Sequence, residues 1–412
     1  MSRLEELIQQ YCPDGVEYKR LGDIATLIRG GNFQKKDFTD SGVPCIHYGQ
    51  IYTHFGIHTT STIKYISPEV ARKSKIAKTN DIVMAITSEN VNDVGKCVAW
   101  LGDEDIAVSG HTAIIQHKQN AKYLSYYFHT SDFFTQKKRL AHGTKVIEIS
   151  PKALEDVLVP VPPLPVQEEI VRILDNFAEL QAELQAELQK RLQQYEYYRD
   201  KLLSFSDLSN WRQEVSVEWK KLGDIADLLS GFPFDSTQFT SAGIRLMRGV
   251  NIKRGQLCFN ENDDRYWKST AGLEKYVVEE NDIVISMDGS LVGKSFGMVK
   301  KEHLPLLLVQ RVARIRSSVF NINFIYHCIK NWFPNYVDKK KTKGAIPHIS
   351  MKDIANFPLP SLSLEEQEKI ATILDRFDTL TNDLSQGLPA EIEARRKQYE
   401  YYRDTLLTFK KK

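Results

Sequence analysis

The chain has 412 residues, of which 42% are apolar and 26% charged, and this balance is that of an ordinary globular protein rather than a disordered or fibrous one. Its net charge of +2 argues against a uniformly basic nucleic-acid binder, so cations that bind DNA must be concentrated locally. No apolar run approaches the roughly 18 residues of a membrane span, the start lacks a signal pattern, and the five cysteines form no C-x-x-C pair. We therefore expect a cytoplasmic protein without a disulfide framework or a zinc site.

The chain repeats itself after about 200 residues. Four blocks recur in the same order: VEYKRLGDIATLIRGG from Val16 and VEWKKLGDIADLLSG from Val217, NDIVMAI and NDIVISM, ISPKALEDVLVPVP and ISMKDIANFPLPSL, QYEYYRDKLL and QYEYYRDTLL. A period this long is not that of a solenoid, whose units span roughly 20–50 residues. It predicts two copies of one module, each large enough to hold its own core.

Each copy begins with short strands. The NDIVMAI block from Asn80 and its counterpart from Asn281 are β-branched apolar runs after a turn signal, which is typical of buried strands. Helical patterns follow at about 121–140 and 321–333. The module is therefore predicted to be α+β.

A proline-rich hinge then leads into a long helix in each copy. From about Val166 to Ser204 there is no proline or glycine, and roughly 39 residues of helix would span about 58 Å. Large apolar residues form a stripe along this helix: Leu174, Phe177, Leu180, Leu184, Leu188 and Leu192. The second helix, from about Leu364 to Phe409, contains Gly387 and Pro389, which are predicted to kink or break it.

The two long helices are predicted to pack on each other, because a helix with a leucine stripe seldom stands alone. The first contains three AELQ units over 178–189, and the second is four residues longer between the shared blocks. Adding or removing a whole four-residue unit leaves the direction of the downstream helix face nearly unchanged, which favours a role of the helix as a spacer. Neutral gain or loss of repeats in a solvated helix is the alternative. The N-terminal segment looks like the linker between the copies, so the arrangement is cyclic with a near two-fold axis, a geometry for contacting two copies of a partner.

No motif for catalysis is complete. The 289–295 segment has three residues between its glycines where a phosphate-binding loop needs four. The 13–19 segment is too tightly spaced for the metal site of a nuclease, and a glycine between His54 and His58 argues against a helix that presents both to one metal. The F-x-G-x-G and N-P-P-Y patterns of a methyltransferase are missing as well.

Basic segments occur at equivalent places instead. Residues 136–145 and 338–348 each place several cations before an Ile-Ser pair, at Ile149 and Ile349. Lysine binds phosphates, whereas arginine, histidine and amides can read base edges. The candidate DNA contacts are Lys35, Lys36, His47, Tyr48, Lys137, Lys138, Arg139, His142, Thr144, Lys145, Arg245, Arg248, Lys253, Arg254, Lys339, Lys340, Lys341, Lys343 and His348. An ordinary solvated surface remains the alternative, but the stretches 44–79 and 245–280 barely align, as two different recognition surfaces on one scaffold would require.

The quoted blocks and their second copies closely resemble the specificity subunit of type I restriction–modification enzymes, over essentially the whole chain. The resemblance implies two target recognition domains, 1–162 and 207–360, that each read one half of a bipartite, asymmetric DNA site. It implies that a pair of long antiparallel helices, 163–206 and 361–412, separates them. The four-residue units resemble those that set the domain separation in some members, although the Gly387–Pro389 break puts strict two-fold symmetry in doubt.

The resemblance also implies partners. Two modification subunits, which carry S-adenosylmethionine and methylate adenine, would dock on the helices, and restriction subunits would add ATP-driven translocation and cleavage. This chain would bind no cofactor and catalyse nothing itself. The docking residues we single out are Gln167, Asp175, Phe177, Tyr197, Gln367, Asp375, Phe377 and Tyr401. A self-sufficient methyltransferase or nuclease, and a coiled-coil scaffold without a nucleic-acid role, are the competing interpretations.

Overall fold

The computed structural model describes residues 2–204, 217–342, 347–383 and 385–412. The chain divides into two compact units: unit 1 comprises Met1–Ala186 and Ala390–Lys412, and unit 2 comprises Glu187–Pro389. Each unit therefore contains one copy of the module together with helical segments that come from both copies.

Unit 1 contains two five-stranded sheets, with the strand orders β2-β12-β8-β10-β5 and β3-β6-β4-β11-β7. The strands are β1 Tyr18–Arg20, β2 Ala25–Arg29, β3 Phe38–Thr39, β4 Val43–Ile46, β5 His58–Thr59, β6 Lys64–Ile66, β7 Lys75–Ala77, β8 Ile82–Ala85, β9 Thr87–Ser88, β10 Cys97–Trp100, β11 Ile106–Val108, β12 Thr112–His117, β13 Ile147–Glu148 and β14 Leu158–Pro160. The helices are α1 Arg3–Tyr11, α2 Leu21–Ile24, α3 Tyr48–Thr53, α4 Pro68–Arg72, α5 Ala121–Tyr127, α6 Ser131–Leu140, α7 Pro151–Leu154 and α8 Leu164–Leu203, of which α8 belongs to unit 2 from Glu187 onward.

The predicted strand of the NDIVMAI block is confirmed as β8, and it is buried on both faces. Val83 packs with Ile46 and Val108 of the other sheet, whereas Ile82 and Met84 belong to a cluster that also contains helical residues. Successive side chains of a strand point to opposite faces, so a strand covered on both sides needs a continuous apolar run.

Unit 2 repeats this plan with two four-stranded sheets, β16-β25-β22-β23 and β20-β17-β24-β21. The strands are β15 Trp219–Lys221, β16 Asp227–Ser230, β17 Ile244–Met247, β18 Ile252–Lys253, β19 Gln256–Leu257, β20 Tyr266–Trp267, β21 Val277–Val278, β22 Ile283–Ser286, β23 Phe296–Met298, β24 Leu306–Leu308, β25 Val312–Arg316 and β26 Pro358–Pro360. The helices are α9 Leu222–Ile225, α10 Ile322–Asp338, α11 Met351–Ala355, α12 Leu364–Asn382 and α13 Leu388–Leu406, of which α13 joins unit 1 from Ala390 onward. The predicted α+β class is confirmed.

One helix prediction needs correction, and one segment predicted as a linker is helical. The 121–140 pattern forms two helices, because the Thr130 side chain accepts the backbone N–H of Phe133 and starts α6 anew. The N-terminal segment, interpreted as a linker, forms α1 with a capping box of Ser2 and Glu5, and its Leu4 is buried in the unit 1 core. Its counterpart at 205–216 lies outside the described residues.

The long helices follow the prediction closely. Helix α8 runs for 40 residues without a break, and the second helix is divided into α12 and α13 at the predicted place. A Cβ atom at Gly387 would lie 2.3 Å from the carbonyl oxygen of Thr379, so only glycine fits there. The leucine stripe is unevenly covered, since Leu174 is fully buried whereas Leu180 is exposed.

Each unit pairs a helix of one copy with a helix of the other. In unit 1, the ring of Phe177 on α8 stacks on Tyr402 of α13 at 5.3 Å, and in unit 2 the equivalent Phe377 on α12 stacks on Tyr198 of α8 at 5.7 Å. The two contacts are repeats of each other, as the cyclic prediction requires.

Unit 1 also shows how the C-terminal segment returns to the first repeated block, which completes the cyclic arrangement. The backbone N–H of Val16 donates to the carbonyl of Lys410 at 2.9 Å, and the N–H of Phe409 donates to the Tyr18 hydroxyl at 3.1 Å. The C-terminal segment therefore joins the first repeated block through backbone and side-chain hydrogen bonds.

Candidate nucleic-acid interface

The basic 136–145 segment of unit 1 ends in a hairpin at one edge of the domain. His142 and Glu148 exchange two backbone hydrogen bonds, at 3.0 and 2.8 Å, and this closes the hairpin. Strand β13 of the hairpin pairs with β9, which directly follows the buried strand β8. The turn that contains His111 lies beside it, since the N–H of Ile86 donates to the His111 carbonyl at 3.0 Å.

Polar side chains from distant parts of the sequence meet at this edge. The Thr87 hydroxyl lies 3.0 Å from Nδ1 of His111. The Arg29 guanidinium forms an ion pair with Glu148 at 3.0 Å and donates to the carbonyl of Gly110 at 3.2 Å. We call Thr87, His111 and Glu148 the polar set of unit 1.

The predicted pair His47 and Tyr48 lies against this set, with two different roles. The Tyr48 ring centroid is 5.0 Å from that of His111, so Tyr48 supports the polar set. His47 is buried at the start of α3, where its Nδ1 accepts the N–H of Gly49 at 3.2 Å. Burial, together with the nearby charge of Lys35, lowers the pKa of His47 to about 4. As a neutral, buried cap, His47 positions α3 and its tyrosine, so it ranks below the exposed residues as a DNA contact.

Unit 2 builds the same backbone framework with different side chains. The N–H of Met287 donates to the Arg311 carbonyl at 2.9 Å, as Ile86 does to His111, and Asp288 pairs with His348 as Thr87 pairs with Glu148. The Asp288 carboxylate forms an ion pair with Arg311 at 3.2 Å and also contacts Nδ1 of His348. We call Asp288, Arg311 and His348 the polar set of unit 2.

Most of the predicted cations are exposed. In the described residues these are Lys35, Lys36, Lys138, Arg139 and Lys145 in unit 1, with His142 and Thr144, and Lys253, Arg254, Lys339 and Lys340 in unit 2. Lys343 lies outside the described residues. The exposed Lys138 and Arg139 belong to the last turn of α6, directly before the hairpin, which suits them to phosphate contact.

Lys137, which was predicted as a DNA contact, is held in the interior of unit 1. Only 5% of it is exposed, and its ammonium donates to the carbonyls of Asn92 and Val94 at 2.9 and 2.5 Å. Burial lowers its pKa to about 8. It lies four residues after the buried Phe133, on the inner face of α6, whereas DNA-binding cations must point outward.

Three other predicted cations are held by partners within unit 2. Arg245 forms an ion pair with the buried Asp264 at 3.2 Å, Arg248 donates to the carbonyl of Asp263 at 2.9 Å, and Lys341 pairs with Asp338 at 2.7 Å. These contacts hold the three side chains within unit 2, so they rank below the exposed cations as DNA contacts.

Two of the predicted docking residues are buried and join the long helices to their domains. Gln167 accepts the backbone N–H of Asn120 at 3.0 Å, and Gln367 accepts that of Asn321 at 2.8 Å. Both hydrogen bonds connect a long helix to its domain, so these two buried glutamines position α8 and α12.

The predicted aspartates are also occupied within their own unit. Asp175 binds Lys122 at 2.6 Å and the Tyr126 hydroxyl at 2.8 Å. The equivalent Asp375 accepts from the Asn323 amide at 2.8 Å and lies 2.7 Å from Nε2 of His327.

The remaining docking residues are aromatic. Phe177 and Phe377 stack within their units, as described above. Tyr197 and Tyr401 occupy equivalent places in the QYEYYRD blocks, and they are 59% and 66% exposed. Exposed aromatic rings at repeated positions are the part of the docking prediction that suits contact with another protein.

Two other segments considered in the sequence form local structure in the described part of the chain. Residues 289–295 form turns between β22 and β23, and Glu17 pairs with Lys19 at 3.2 Å. In the described ranges, no group of three or more metal-ligating side chains is present. Among the helices described, none is both long and apolar enough to cross a membrane.

The polar sets were largely missed by sequence reasoning. Of their six members only His348 was predicted, since the others lie outside basic runs. A usable signal was present, because Thr87 and Asp288 follow the repeated NDIV blocks at the same distance and differ between the copies. Equivalent positions that differ beside an invariant framework are candidates for specificity.

Fold and site together define a duplicated protein with two chemically different polar edges on one framework. A family model described as the type I restriction modification DNA specificity domain matches residues 13–194 and again residues 214–394. The chain belongs to this family.

Comparison with individual relatives agrees with this family assignment. The chain is 34% identical over 272 residues to the EcoR124I/EcoR124II type I restriction enzyme specificity subunit of Escherichia coli, covering 60% of each, which is less than two thirds of that relative's length. It is 30% identical over 319 residues to a putative type I restriction enzyme specificity subunit of Haemophilus influenzae, covering 73% of this chain and 76% of that one. The fold is similar to the S subunit of a type I restriction-modification system from M. genitalium, with a TM-score of 0.57, 15% identity and coverage of 95% and 96%.

Proposed function

We propose that this chain is a DNA specificity subunit whose two units each read one half of a bipartite, asymmetric site. The observation that carries the proposal is the pair of polar sets: one backbone framework, used twice, holds Thr-His-Glu in unit 1 and Asp-Arg-His in unit 2. Exposed cations in each unit would contact phosphates and fix the orientation on DNA, whereas the polar sets can discriminate bases.

We propose further that the helices dock two modification subunits. Tyr197 and Tyr401 are exposed at repeated positions of the helices, so a duplicated surface is available for two copies of one partner. The modification subunits would carry S-adenosylmethionine and methylate adenine, and restriction subunits could join the complex. This chain would supply sequence recognition and no catalytic group.

Methylome sequencing tests this proposal. A host without its own modification systems would express this chain with its modification subunit. We expect methylated adenines in one split motif with two different halves and a fixed spacer. Hosts that express either subunit alone are the controls and should show no such motif. Methylation by this chain alone would favour the self-sufficient enzyme, and an unmethylated genome with both subunits present would favour the scaffold.

The phosphate contacts make a separate prediction. Lys138→Gln/Lys145→Gln should weaken binding of the complex to all DNA sequences and reduce the slope of log affinity against log salt by up to about two, because each phosphate contact releases about one counterion. The recognised motif should stay the same. The matched control is Lys78→Gln/Lys118→Gln, which removes two exposed lysines near strand ends remote from the His142–Glu148 hairpin. Equal weakening by both variants in a salt titration would contradict the placement of the interface.

A further inference from the structure

The two polar sets occupy the same three backbone positions but offer different hydrogen-bonding groups. Position 87 of unit 1 is a hydroxyl where position 288 of unit 2 is a carboxylate, and Glu148 of unit 1 is replaced by His348. His111 is replaced by Arg311, and both are exposed. A scaffold that keeps these backbone hydrogen bonds and changes the side chains beside them can present a different pattern of donors and acceptors to DNA in each unit.

Each polar set contains one exposed side chain and a less exposed side chain that contacts it. The Arg311 side chain is 62% exposed, whereas its partner Asp288 is 29% exposed and also contacts His348. In unit 1, Thr87 is buried beneath the exposed His111, whose ring also packs near Tyr48. In each unit, therefore, one side chain projects outward and less exposed neighbours restrict its orientation.

The backbone at Arg311 adds an independent observation. Its φ angle is 69°, in the left-handed region that residues with a Cβ rarely adopt. Unfavourable conformations of this kind persist where the surrounding structure enforces them, and they cluster at functional sites. Here the N–H of Met287 holds the Arg311 carbonyl at 2.9 Å, and Asp288 holds its guanidinium.

We propose that His111 and Arg311 contact base edges in the major groove, with Arg311 reading a guanine, and that Thr87 in unit 1 and Asp288 with His348 in unit 2 are positioning residues that set this contact. The inference rests on the proposed function and names the residues that make the two half-sites different. An arginine with a fixed guanidinium can donate two hydrogen bonds to O6 and N7 of guanine, a pattern that no other base pair offers. The Arg311 side chain stays 62% exposed beside Asp288, which restricts its direction.

The test is selection of bound duplexes from a randomised library by the complex of this chain with its modification subunit. With Arg311→Gln, the preference for guanine at one position of one half-site should fall by roughly 10- to 100-fold, since a bidentate contact supplies discrimination of that size. The other half-site and the spacer should be unchanged. Arg311→Lys keeps the charge but loses the planar fork of donors, so it should weaken the guanine preference while retaining most of the salt-dependent affinity.

Controls separate the possible failures. Lys301→Gln removes an exposed charge in the same unit, before β24 rather than after it, and should leave every base preference intact. If the unaltered complex selects no split motif, the proposed function fails. If it does, and Arg311→Gln selects the same motif with the same guanine preference, the assignment of Arg311 is overturned. Uniform weakening without altered preference would make Arg311 a phosphate contact and would overturn it as well.

The unit 1 set is tested by grafting. Thr87→Asp/His111→Arg/Glu148→His should alter only the half-site read by unit 1, and hydrogen exchange should show that the unit remains folded. A folded graft that leaves both half-sites unchanged would overturn the proposal for unit 1.

Discussion

Deleting one AELQ unit, residues 182–185, from helix α8 is expected to move methylation to sites whose two halves lie about two base pairs closer together. Four helical residues correspond to about 6 Å of length and a rotation of about 400°, so the faces on either side of the deletion change direction by only about 40°. A rise of about 3.4 Å per base pair converts 6 Å into about two base pairs. The bases of both half-sites should be unchanged, because the polar sets lie in other parts of the chain.

Methylome sequencing of hosts expressing the deleted and the unaltered chain measures this shift. Glu183→Gln is the matched control, since it changes an exposed residue of the deleted AELQ segment without altering the length of α8. An unchanged spacer in a folded deletion variant would contradict the role of α8 as a spacer. Altered half-site bases would show that the helix also influences recognition.

Replacing Gln167 with alanine is expected to lower the free energy of unfolding of unit 1 by about 2–4 kcal/mol, because buried partners lose their hydrogen bonds. Gln167 is fully buried, and its amide also donates to the carbonyl of Pro162 at 2.7 Å and to Gln119 at 2.8 Å. Alanine would leave these groups and the N–H of Asn120 without their partner. Gln367→Ala should have a similar effect on unit 2, where the glutamine links Asn321 to the carbonyl of Leu362.

Hydrogen exchange measures these losses locally, because the weakened unit should lose protection while the other keeps it. Glu168→Ala changes the exposed neighbour of Gln167 and should leave both units protected. The result also distinguishes positioning from docking. If Gln167→Ala kept full protection but abolished complex formation with the modification subunit, Gln167 would be a docking residue after all.

Features that depend on neighbouring residues could be predicted from the sequence. Helix α8 and the break before α13 depend on helix-forming runs and on glycine and proline, which act locally. The NDIVMAI strand depends on a short β-branched run. Even the inward direction of Lys137 was accessible, since it lies one helical turn after Phe133 on α6.

The polar sets could not be predicted in this way. Thr87, His111 and Glu148 are separated by long stretches of sequence, and only the pairing of β9 with β13 and the turn before β12 bring them together. Burial of Gln167 likewise depends on the start of α5 reaching the start of α8. Such contacts join segments that are far apart in the sequence, so no local pattern of residues predicts them.

By itself, therefore, the sequence determined the duplication, the cyclic order, the long helix and its broken counterpart, because propensity and repetition are properties of contiguous residues. Only the tertiary structure decided which polar residues point outward together. It placed Lys137 and Gln167 in the interior and His111 and Arg311 at the surface. The physical reason is that sheet pairing and burial, rather than charge, determine which side chains remain free to contact a partner.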